Sequence, residues 1–282
     1  MSVSSPAAVL RDPAALAAKA KWLRQTLLEM LIAANQGHPG SVMSEAEILV
    51  TLYYGGYIRC RRPDDPARDR FIVSKGHATM GLYPILADFG FFPQDELMKM
   101  GKPGMGILRM YGNNLIPGVD ATAGSLGHGV GIGAGYALAA KMDGRDQRCG
   151  VLVSEGELYE GSVWEGLMFA AHQKLANLVV IVDRNRRIVL GDTEELLALD
   201  PVAAKFESFG WRAMTVDGHS LPELLRAFDT AFESPDGRPT AIVANTVKGR
   251  GVSFMENRAE WHYWQGMNQD QQFIARDDLA RS

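Results

Sequence analysis

Histidine is the side chain best suited to moving protons near neutral pH, and the six histidines of this 282-residue chain are widely spaced. They stand at positions 38, 77, 128, 172, 219 and 262. No two of them are close enough for the H-E-x-x-H pattern of a zinc protease helix. Two of them lie in short motifs, Gly37-His38-Pro39-Gly40 and Ser74-Lys75-Gly76-His77. The spacing therefore excludes a local zinc helix.

Glycine is dense between positions 118 and 135, but the stretch lacks the G-x-G-x-x-G pattern, and no clear strand precedes it. A dinucleotide-binding fingerprint needs both features. The Gly101-Lys102 pair is followed by Pro103, which excludes a phosphate-binding P-loop, and no serine lies in a G-x-S-x-G nucleophile elbow. The sequence therefore does not favour NAD binding, P-loop chemistry or serine hydrolysis.

The composition is that of an ordinary globular protein, with 46% hydrophobic and 22% charged residues. The net charge of −4 argues against binding to nucleic acid or to an anionic membrane as the main activity. Neither a signal peptide before Arg11 nor an apolar run of about 18 residues is present. Two cysteines, Cys60 and Cys149, are too few for a disulfide scaffold, so we expect buried reduced thiols in a cytoplasmic protein.

Apolar periodicity predicts alternating helices and strands. Helices are predicted over 14–36, 44–54, 82–89, 161–174, 201–209 and 221–232, with an Ala-rich helix ending at Lys141, and strands over 70–74, 151–153, 178–182, 212–216 and 241–245. Gly37 is expected to cap the first helix, and Ser44 with Glu47 to form a capping box on the second. The polar segment from Glu260 onward has no clear period.

This alternation predicts a doubly wound α/β fold with a mostly parallel sheet and helices on both faces. We expect a single domain over 1–282, with an N-terminal helical arm over about 1–36 and a polar tail over about 260–282. Ligands of such sheets bind outside the carboxyl ends of the strands. The segments expected there are 74–77, 154–157, 183–187, 216–219 and 245–251.

An ordered series of motifs spanning residues 15 to 265 resembles the N-terminal half of transketolases. Besides the two histidine motifs, the series contains Pro117-Gly118-Val119-Asp120, Gly124-Ser125-Leu126-Gly127, Gly156-Glu157-Leu158-Tyr159-Glu160-Gly161, Val182-Asp183-Arg184-Asn185, Val216-Asp217-Gly218-His219, Thr246-Val247-Lys248-Gly249-Arg250-Gly251 and His262. The resemblance implies binding of thiamine diphosphate, which that family holds between a diphosphate-binding and an aminopyrimidine-binding domain.

The resemblance covers only the diphosphate-binding domain, because the sequence ends before the aminopyrimidine domain and its activating glutamate would begin. It therefore implies the N-terminal subunit of a split transketolase that transfers a two-carbon ketol unit from a ketose to an aldose or aldehyde. A separate C-terminal, pyrimidine-binding subunit would complete the enzyme, in an α2β2 assembly acting on sugars or sugar phosphates.

Site residues follow from the resemblance, residue by residue. It implies catalytic roles for His38, His77 and His262. The cofactor-binding set is His77, Gly124, Leu126, Gly156, Glu157, Asn185, Lys248 and His262. It also places Glu160 at the subunit interface.

The metal loop departs from the family pattern. The family has Gly-Asp-Gly where this chain has Ser154-Glu155-Gly156, and Asn-Gly where it has Asn185-Arg186. We expect Glu155, Asn185 and the carbonyl of Arg187 still to bind Mg²⁺ or Ca²⁺ in an atypical site. The alternative left open is that Arg186 or Arg187 turns inward and pairs with Glu155.

The substrate shell departs from the pattern as well, since Met110 or Tyr111 stands where the family has a substrate-facing histidine. This change favours a substrate with fewer hydroxyl groups than the usual pentose phosphates, or a role in secondary metabolism or with an unusual sugar. Two other functions stay open at this point. One is another thiamine-diphosphate-dependent carboligase, such as an acyloin synthase subunit; the other is a degenerate subunit that serves as a scaffold or regulatory partner.

Overall fold

Five parallel strands form the central sheet of the computed structural model, which describes residues 9–59, 62–102, 104–233 and 236–281. In chain order the strands are β1 (Arg70–Val73), β2 (Cys149–Ser154), β3 (Leu178–Arg184), β4 (Arg187–Ile188), β5 (Gly191–Asp192), β6 (Arg212–Asp217) and β7 (Thr240–Asn245). The sheet order is β1-β2-β3-β7-β6, and all four pairings are parallel. The short strands β4 and β5 form a separate antiparallel pair.

Helices connect and cover these strands. They are α1 (Pro13–Ala34), α2 (Pro39–Ser44), α3 (Ala46–Tyr54), α4 (Tyr83–Asp88), α5 (Gly129–Met142), α6 (Gly161–His172), α7 (Thr193–Leu196), α8 (Val202–Ser208), α9 (Leu221–Glu233) and α10 (Gln269–Arg281). Short 3₁₀ helices span Gly76–Leu82, Gln94–Lys99, Glu155–Tyr159 and Ala259–His262. The predicted elements agree with these bounds to within a few residues, and the predicted doubly wound α/β class is confirmed.

The sheet separates two apolar cores, because successive residues of a strand point to opposite faces. In β3, Val179 and Ile181 pack with α1, α3, α4, α9 and α10, whereas Val180 and Val182 pack with α5, α6 and α8. All seven residues of β3 are buried. Its position at the centre of the sheet explains why it reads as a continuous apolar run up to Asp183.

The N-terminal helix is an integral part of the first core. Leu16, Leu23, Leu27 and Leu31 of α1 are fully buried, and α1 packs against α3 and α10. The segment expected as an arm over about 1–36 is therefore held in the core wherever the structure describes it.

Three local expectations were wrong. Helix α1 ends at Ala34 and is capped by Asn35 rather than by Gly37; Asn35 adopts the left-handed conformation (φ 49°), and its Oδ1 accepts a hydrogen bond from Trp264. The expected capping box at Ser44 and Glu47 does not form, because Ser44 donates to Asp183 and Glu47 pairs with Arg24. The tail forms α10, which escaped detection because only Ala275 and Leu279 are buried.

Cys149 is buried at the start of β2, as expected, whereas Cys60 lies outside the described residues. Among the described residues, no helix combines the length and the apolar character that crossing a membrane requires.

Candidate active site

A cavity of about 330 Å³ opens at the carboxyl ends of β1, β2, β3 and β7, where ligands of doubly wound sheets bind. Most of the residues predicted for the site line it: His38, His77, Gly124, Leu126, Glu155, Gly156, Asn185, Arg187, Lys248 and His262. The rest of the wall is Ser41, Lys75, Tyr111, Ser154, Tyr159, Asp183, Ile188, Val189 and Tyr263. The structure thus brings together motifs that are far apart in sequence.

Three imidazoles form one cluster in this cavity. His38 precedes α2, His77 lies in the 3₁₀ helix after β1, and His262 ends the 3₁₀ helix Ala259–His262. The ring centroid of His38 is 4.9 Å from that of His77 and 5.5 Å from that of His262. The buried Nδ1 of His38 has no hydrogen-bond partner within the described chain. That nitrogen is free to donate to a ligand or to accept from one.

Burial keeps these imidazoles neutral. Burial and the nearby Lys248 ammonium lower the pKa of His38 to about 4 and that of His262 to about 3. Burial and the neighbouring His38 also lower the pKa of His77 well below its ordinary value. A neutral imidazole carries one proton donor and one acceptor, so each ring of the cluster can donate one hydrogen bond to a ligand or accept one from it at neutral pH.

Lys248 is the cation that faces the cavity. Its ammonium nitrogen lies 3.2 Å from the carbonyl oxygen of Arg187 and 3.1 Å from Nδ1 of His262. Burial lowers its pKa to about 8, which leaves it mostly protonated at neutral pH. A Cβ on Gly40 would come within 2.9 Å of the Lys248 side chain, so the glycine of Gly37-His38-Pro39-Gly40 makes room for the lysine. An anion in the cavity would therefore meet a desolvated positive charge.

Lys75, the second buried lysine, is already neutralised. Its ammonium group contacts Asp183 at 2.5 Å and Glu45 at 2.8 Å. Burial alone would lower the pKa of Lys75, but the two carboxyl groups raise it. Burial would likewise raise the pKa of Asp183, yet Lys75 and the hydroxyls of Ser44 and Thr246 hold it below its ordinary value. This network fixes the floor of the cavity at the ends of β1 and β3.

Close backbone approach shapes the part of the cavity wall that contains Gly124 and Leu126. A Cβ on Gly76 would lie only 2.4 Å from the carbonyl carbon of Ala123 and 2.5 Å from the nitrogen of Gly124. Glycine is therefore required at position 76 for the segment containing Gly124 and Leu126 to reach the cavity.

Glu157, predicted as a cofactor contact, does not line the cavity. Its buried carboxylate accepts hydrogen bonds from the Ser74 hydroxyl and from the backbone amides of Gly127 and Ser154. The Glu157 amide in turn donates to the hydroxyl oxygen of Ser154, which completes a capping box. Glu157 thus joins three loops behind the wall.

The three predicted metal ligands lie together, but their oxygens are in use. Glu155 accepts hydrogen bonds from Arg184 at 2.5 Å and from the backbone amides of Arg186 and Arg187 at 2.8 and 2.7 Å. Oδ1 of Asn185 accepts from the Arg187 amide at 3.1 Å. The carbonyl of Arg187 faces Lys248.

The arginine that pairs with Glu155 is neither of the two that the sequence suggested. The side chains of Arg186 and Arg187 pair with Asp200 and Asp192, each at 3.0 Å. Arg184, at the end of β3, lies beside Glu155 instead. It is the one basic residue of this buried strand, and this feature of the sequence could have identified it as the partner of Glu155.

The structure also gives the positions of Met110, Tyr111 and Glu160, which the sequence singled out. Tyr111 lines the cavity with its ring 5.9 Å from that of His38, whereas Met110 packs against the first core. Tyr263, which sequence reasoning missed, also lines the cavity, and the centroid of its ring lies 5.0 Å from that of His38.

Glu160 is exposed at the start of α6 and does not line the cavity.

Comparisons with known proteins agree with this geometry. Residues 17–273 match the family model "Transketolase, thiamine diphosphate binding domain". One of the relatives is a subunit of the apulose-4-phosphate transketolase of Phocaeicola vulgatus, which is 36% identical over 241 residues, covering 85% of this chain and 85% of its own length. Another is a subunit of the 6-deoxy-6-sulfo-D-fructose transketolase from a Clostridium species, which is 35% identical over 245 residues, covering 86% of this chain and 89% of its own length.

Full-length transketolases match over only part of their length. The human transketolase is 39% identical over 256 residues, which cover 88% of this chain and 39% of the human protein. The crystal structure of the Campylobacter jejuni transketolase superimposes with a TM-score of 0.87 at 26% identity, over 95% of this chain and 43% of that one. The chain belongs to the transketolase family and corresponds to its thiamine-diphosphate-binding domain.

Proposed function

We propose that this chain is the diphosphate-binding subunit of a two-subunit, thiamine-diphosphate-dependent transketolase. It would transfer a two-carbon ketol unit from a ketose or ketose phosphate to an aldehyde or aldose acceptor. The observation that carries the proposal is the cluster of three neutral imidazoles beside Lys248, in a cavity at the ends of four parallel strands. Relatives of similar length named as transketolase subunits support the two-subunit form.

The residues of the cavity fit thiamine diphosphate. Lys248 offers a buried ammonium to the diphosphate, with His262 beside it. The backbone of Gly124 and Leu126, brought close by Gly76, would contact the cofactor ring, and Gly156 and Asn185 line the side nearer to β2 and β3. When bound, the cofactor supplies the carbon nucleophile for breaking and forming the carbon–carbon bond.

His38 and His77 would act on substrate oxygens. Their rings adjoin each other, and Nδ1 of His38 is unpartnered, so His38 can exchange a proton with the carbonyl or hydroxyl oxygen being transferred. His77 can hold an adjacent hydroxyl. Tyr111 adds a phenol and an apolar ring to the same side, which supports a substrate with fewer hydroxyl groups.

A second subunit would complete the cofactor site, in an assembly we take to be α2β2. Glu160, exposed at the start of α6, is proposed to lie at the interface. The desolvated, cationic cavity favours a catalytic role over the scaffold alternative, because burying an unpaired ammonium group is costly without an anionic ligand. A divalent cation is not part of this proposal, since the oxygens expected to bind it already accept hydrogen bonds.

The test is ketol transfer by the chain alone and by the chain reconstituted with the proposed pyrimidine-binding subunit, each with thiamine diphosphate. We expect turnover only in the reconstituted complex. In that complex His38→Ala should lower kcat by roughly 10²–10⁴, the usual effect of removing a positioned acid–base group, with little change in Tm. His172→Ala, at an exposed position outside the cavity, is the matched control. Turnover by the chain alone would contradict the two-subunit form.

A further inference from the structure

The oxygens that a divalent cation would need are all occupied by nitrogen donors. An ionised carboxylate has about four lone-pair sites, and Glu155 uses three of them, for Arg184 and for two backbone amides. The Arg187 amide also donates to Oδ1 of Asn185. The carbonyl of Arg187 accepts from the Lys248 ammonium group at 3.2 Å. The donor set expected for Mg²⁺ therefore does not fit a metal ion in this arrangement.

The ion pair between Glu155 and Arg184 is built into the fold. The two side chains are each 1% exposed, and Arg184 also contacts Thr193 at 2.7 Å and Glu194 at 2.5 Å. Glu194 in turn accepts from the Leu199 amide. Releasing Glu155 toward a metal ion would break one of the two 2.5 Å ion pairs of a buried guanidinium group, which is unfavourable.

The backbone after β3 is shaped for the carboxylate as well. Arg186 adopts a left-handed conformation (φ 62°), which is uncommon for a residue with a side chain. In this conformation two successive amides, of Arg186 and Arg187, point at Glu155. This turn is independent of the Arg184 contact and binds Glu155 as an anion.

Lys248 supplies positive charge where the cation would have been expected. It bridges the carbonyl of Arg187 and Nδ1 of His262, and it lines the cavity. An ammonium group contacts carbonyl and phosphate oxygens as a point charge, as a hard cation does. Unlike Lys75, which is shared between two carboxyl groups, Lys248 has no carboxylate within ion-pair distance in the described part of the chain.

From these contacts we propose that the chain binds thiamine diphosphate without a divalent cation. Lys248 acts as the cation at the diphosphate, and Arg184 is the permanent partner of Glu155. The inference rests on the proposed function, because it assumes that this cofactor occupies the cavity.

The test is calorimetric titration of thiamine diphosphate into the reconstituted complex, in EDTA and in Mg²⁺. The two dissociation constants should agree within about threefold, which is small beside the tenfold change that 1.4 kcal/mol represents. Metal analysis of the dialysed, cofactor-loaded complex should find far less than one metal ion per cofactor. A cofactor affinity that falls more than about tenfold in EDTA, or stoichiometric metal, would overturn the inference.

Variants of Lys248 test directly whether its ammonium group takes the place of a divalent cation. Lys248→Gln should weaken binding in EDTA by about 10- to 100-fold, because a charge-assisted hydrogen bond is lost. Lys248→Arg should keep most of the affinity, and Lys99→Gln, which removes a lysine from outside the cavity, should keep all of it. Unchanged affinity in Lys248→Gln would refute the role of the lysine.

The outcomes separate the two proposals. Binding that requires Mg²⁺ contradicts the metal-free site and leaves the proposed function standing. An absence of binding in EDTA and in Mg²⁺ alike contradicts the proposed function itself.

Discussion

Glu45 is a fully buried carboxyl group beneath the cavity, outside the set of residues that the sequence singled out. Its Oε2 lies 2.8 Å from the Lys75 ammonium group, which Asp183 also contacts at 2.5 Å. Its other oxygen, Oε1, lies against Gly81, where an added Cβ would come within 2.1 Å of it. Burial raises the pKa of Glu45 to about 8, against the opposing effect of Lys75.

This shift makes a prediction about stability and pH. Between its ordinary pKa near 4.5 and about 8, Glu45 binds a proton in the folded state that it lacks in the unfolded state. Stability should therefore fall as the pH rises through this window, by about 1.4 kcal/mol for each pH unit in which the folded state alone is protonated. The histidines with lowered pKa values act in the opposite direction below about pH 6.5, and Lys248, whose pKa burial lowers to about 8, does so increasingly as the pH approaches 8.

The measurement is urea unfolding of wild type and Glu45→Gln at several values between pH 6.5 and 8. We expect the free energy of unfolding of the wild type to decline relative to that of Glu45→Gln across that range, since glutamine is neutral throughout and the contribution of Lys248 is common to both proteins. Parallel curves for the two proteins would show that Glu45 does not titrate there. Asp229→Asn, at a partly exposed carboxyl with a lowered pKa, is the control and should keep the decline.

At the scale of secondary-structure elements, His219 holds the loop after β7 in place. Its Nε2 accepts a hydrogen bond from the Val247 amide at 2.8 Å, and Nδ1 lies 2.9 Å from Glu47 on α3. Because Nε2 is the acceptor, Nδ1 carries the proton and donates to Glu47. Glu47 also pairs with Arg24 of α1 through both oxygens. The residue after Val247 is Lys248, so this network fixes the position of the cavity's cation.

Replacing His219 by asparagine or by glutamine separates its bond to Glu47 from its bond to Val247. In His219→Asn, the side-chain nitrogen of the asparagine can replace Nδ1 and keep the bond to Glu47. In His219→Gln, the side-chain oxygen of the glutamine can replace Nε2 and keep the bond to Val247. His219→Asn should lose about 1–3 kcal/mol of stability, because it leaves the part-buried Val247 amide unpaired. His219→Gln should lose less, because both oxygens of Glu47 keep their bonds to Arg24. Only His219→Asn should markedly weaken binding of thiamine diphosphate, since it releases the Lys248 loop. Thermal unfolding and calorimetry measure the two effects, and equal affinities would contradict the positioning role.

The elements could be predicted well from the sequence because their signals are local. The apolar run of β3 and the stripe of α1 are each visible within one window, and the parallel sheet and the transketolase resemblance are confirmed. Helix α10 was missed because it buries only two residues and has a weak period.

The cavity could be predicted as a set of motifs, but not as a set of contacts. The motifs with His38, His77, Gly124, Lys248 and His262 meet at the strand ends as the parallel sheet requires. The pairings of Glu155 with Arg184 and of His219 with Glu47 could not be predicted, because they join residues 29 and 172 positions apart. Side-chain pairing across such distances depends on packing that one sequence does not display.

At the scale of the whole molecule, the cavity opens beside exposed apolar side chains. Val189 lines it, and the next residue, Leu190, is 77% exposed in the turn between β4 and β5. Tyr263, half exposed, also lines the cavity, next to His262. Large apolar side chains grouped at the rim of a site are typical of surfaces that a partner covers. The proposed second subunit would bury them while completing the cofactor site.

Leu190→Asp should therefore weaken assembly with the pyrimidine-binding subunit by about 10- to 100-fold, the effect of losing roughly 2 kcal/mol at an interface. Affinity for thiamine diphosphate should fall with it, because half of the binding site would be lost. Met142→Asp is the matched control: Met142 is also 77% exposed, at the end of α5, and does not line the cavity. Analytical ultracentrifugation of each variant mixed with the partner measures the association. Equal weakening by the two substitutions would mean that charge, rather than the position of Leu190, governs assembly, and the rim would lose its proposed role.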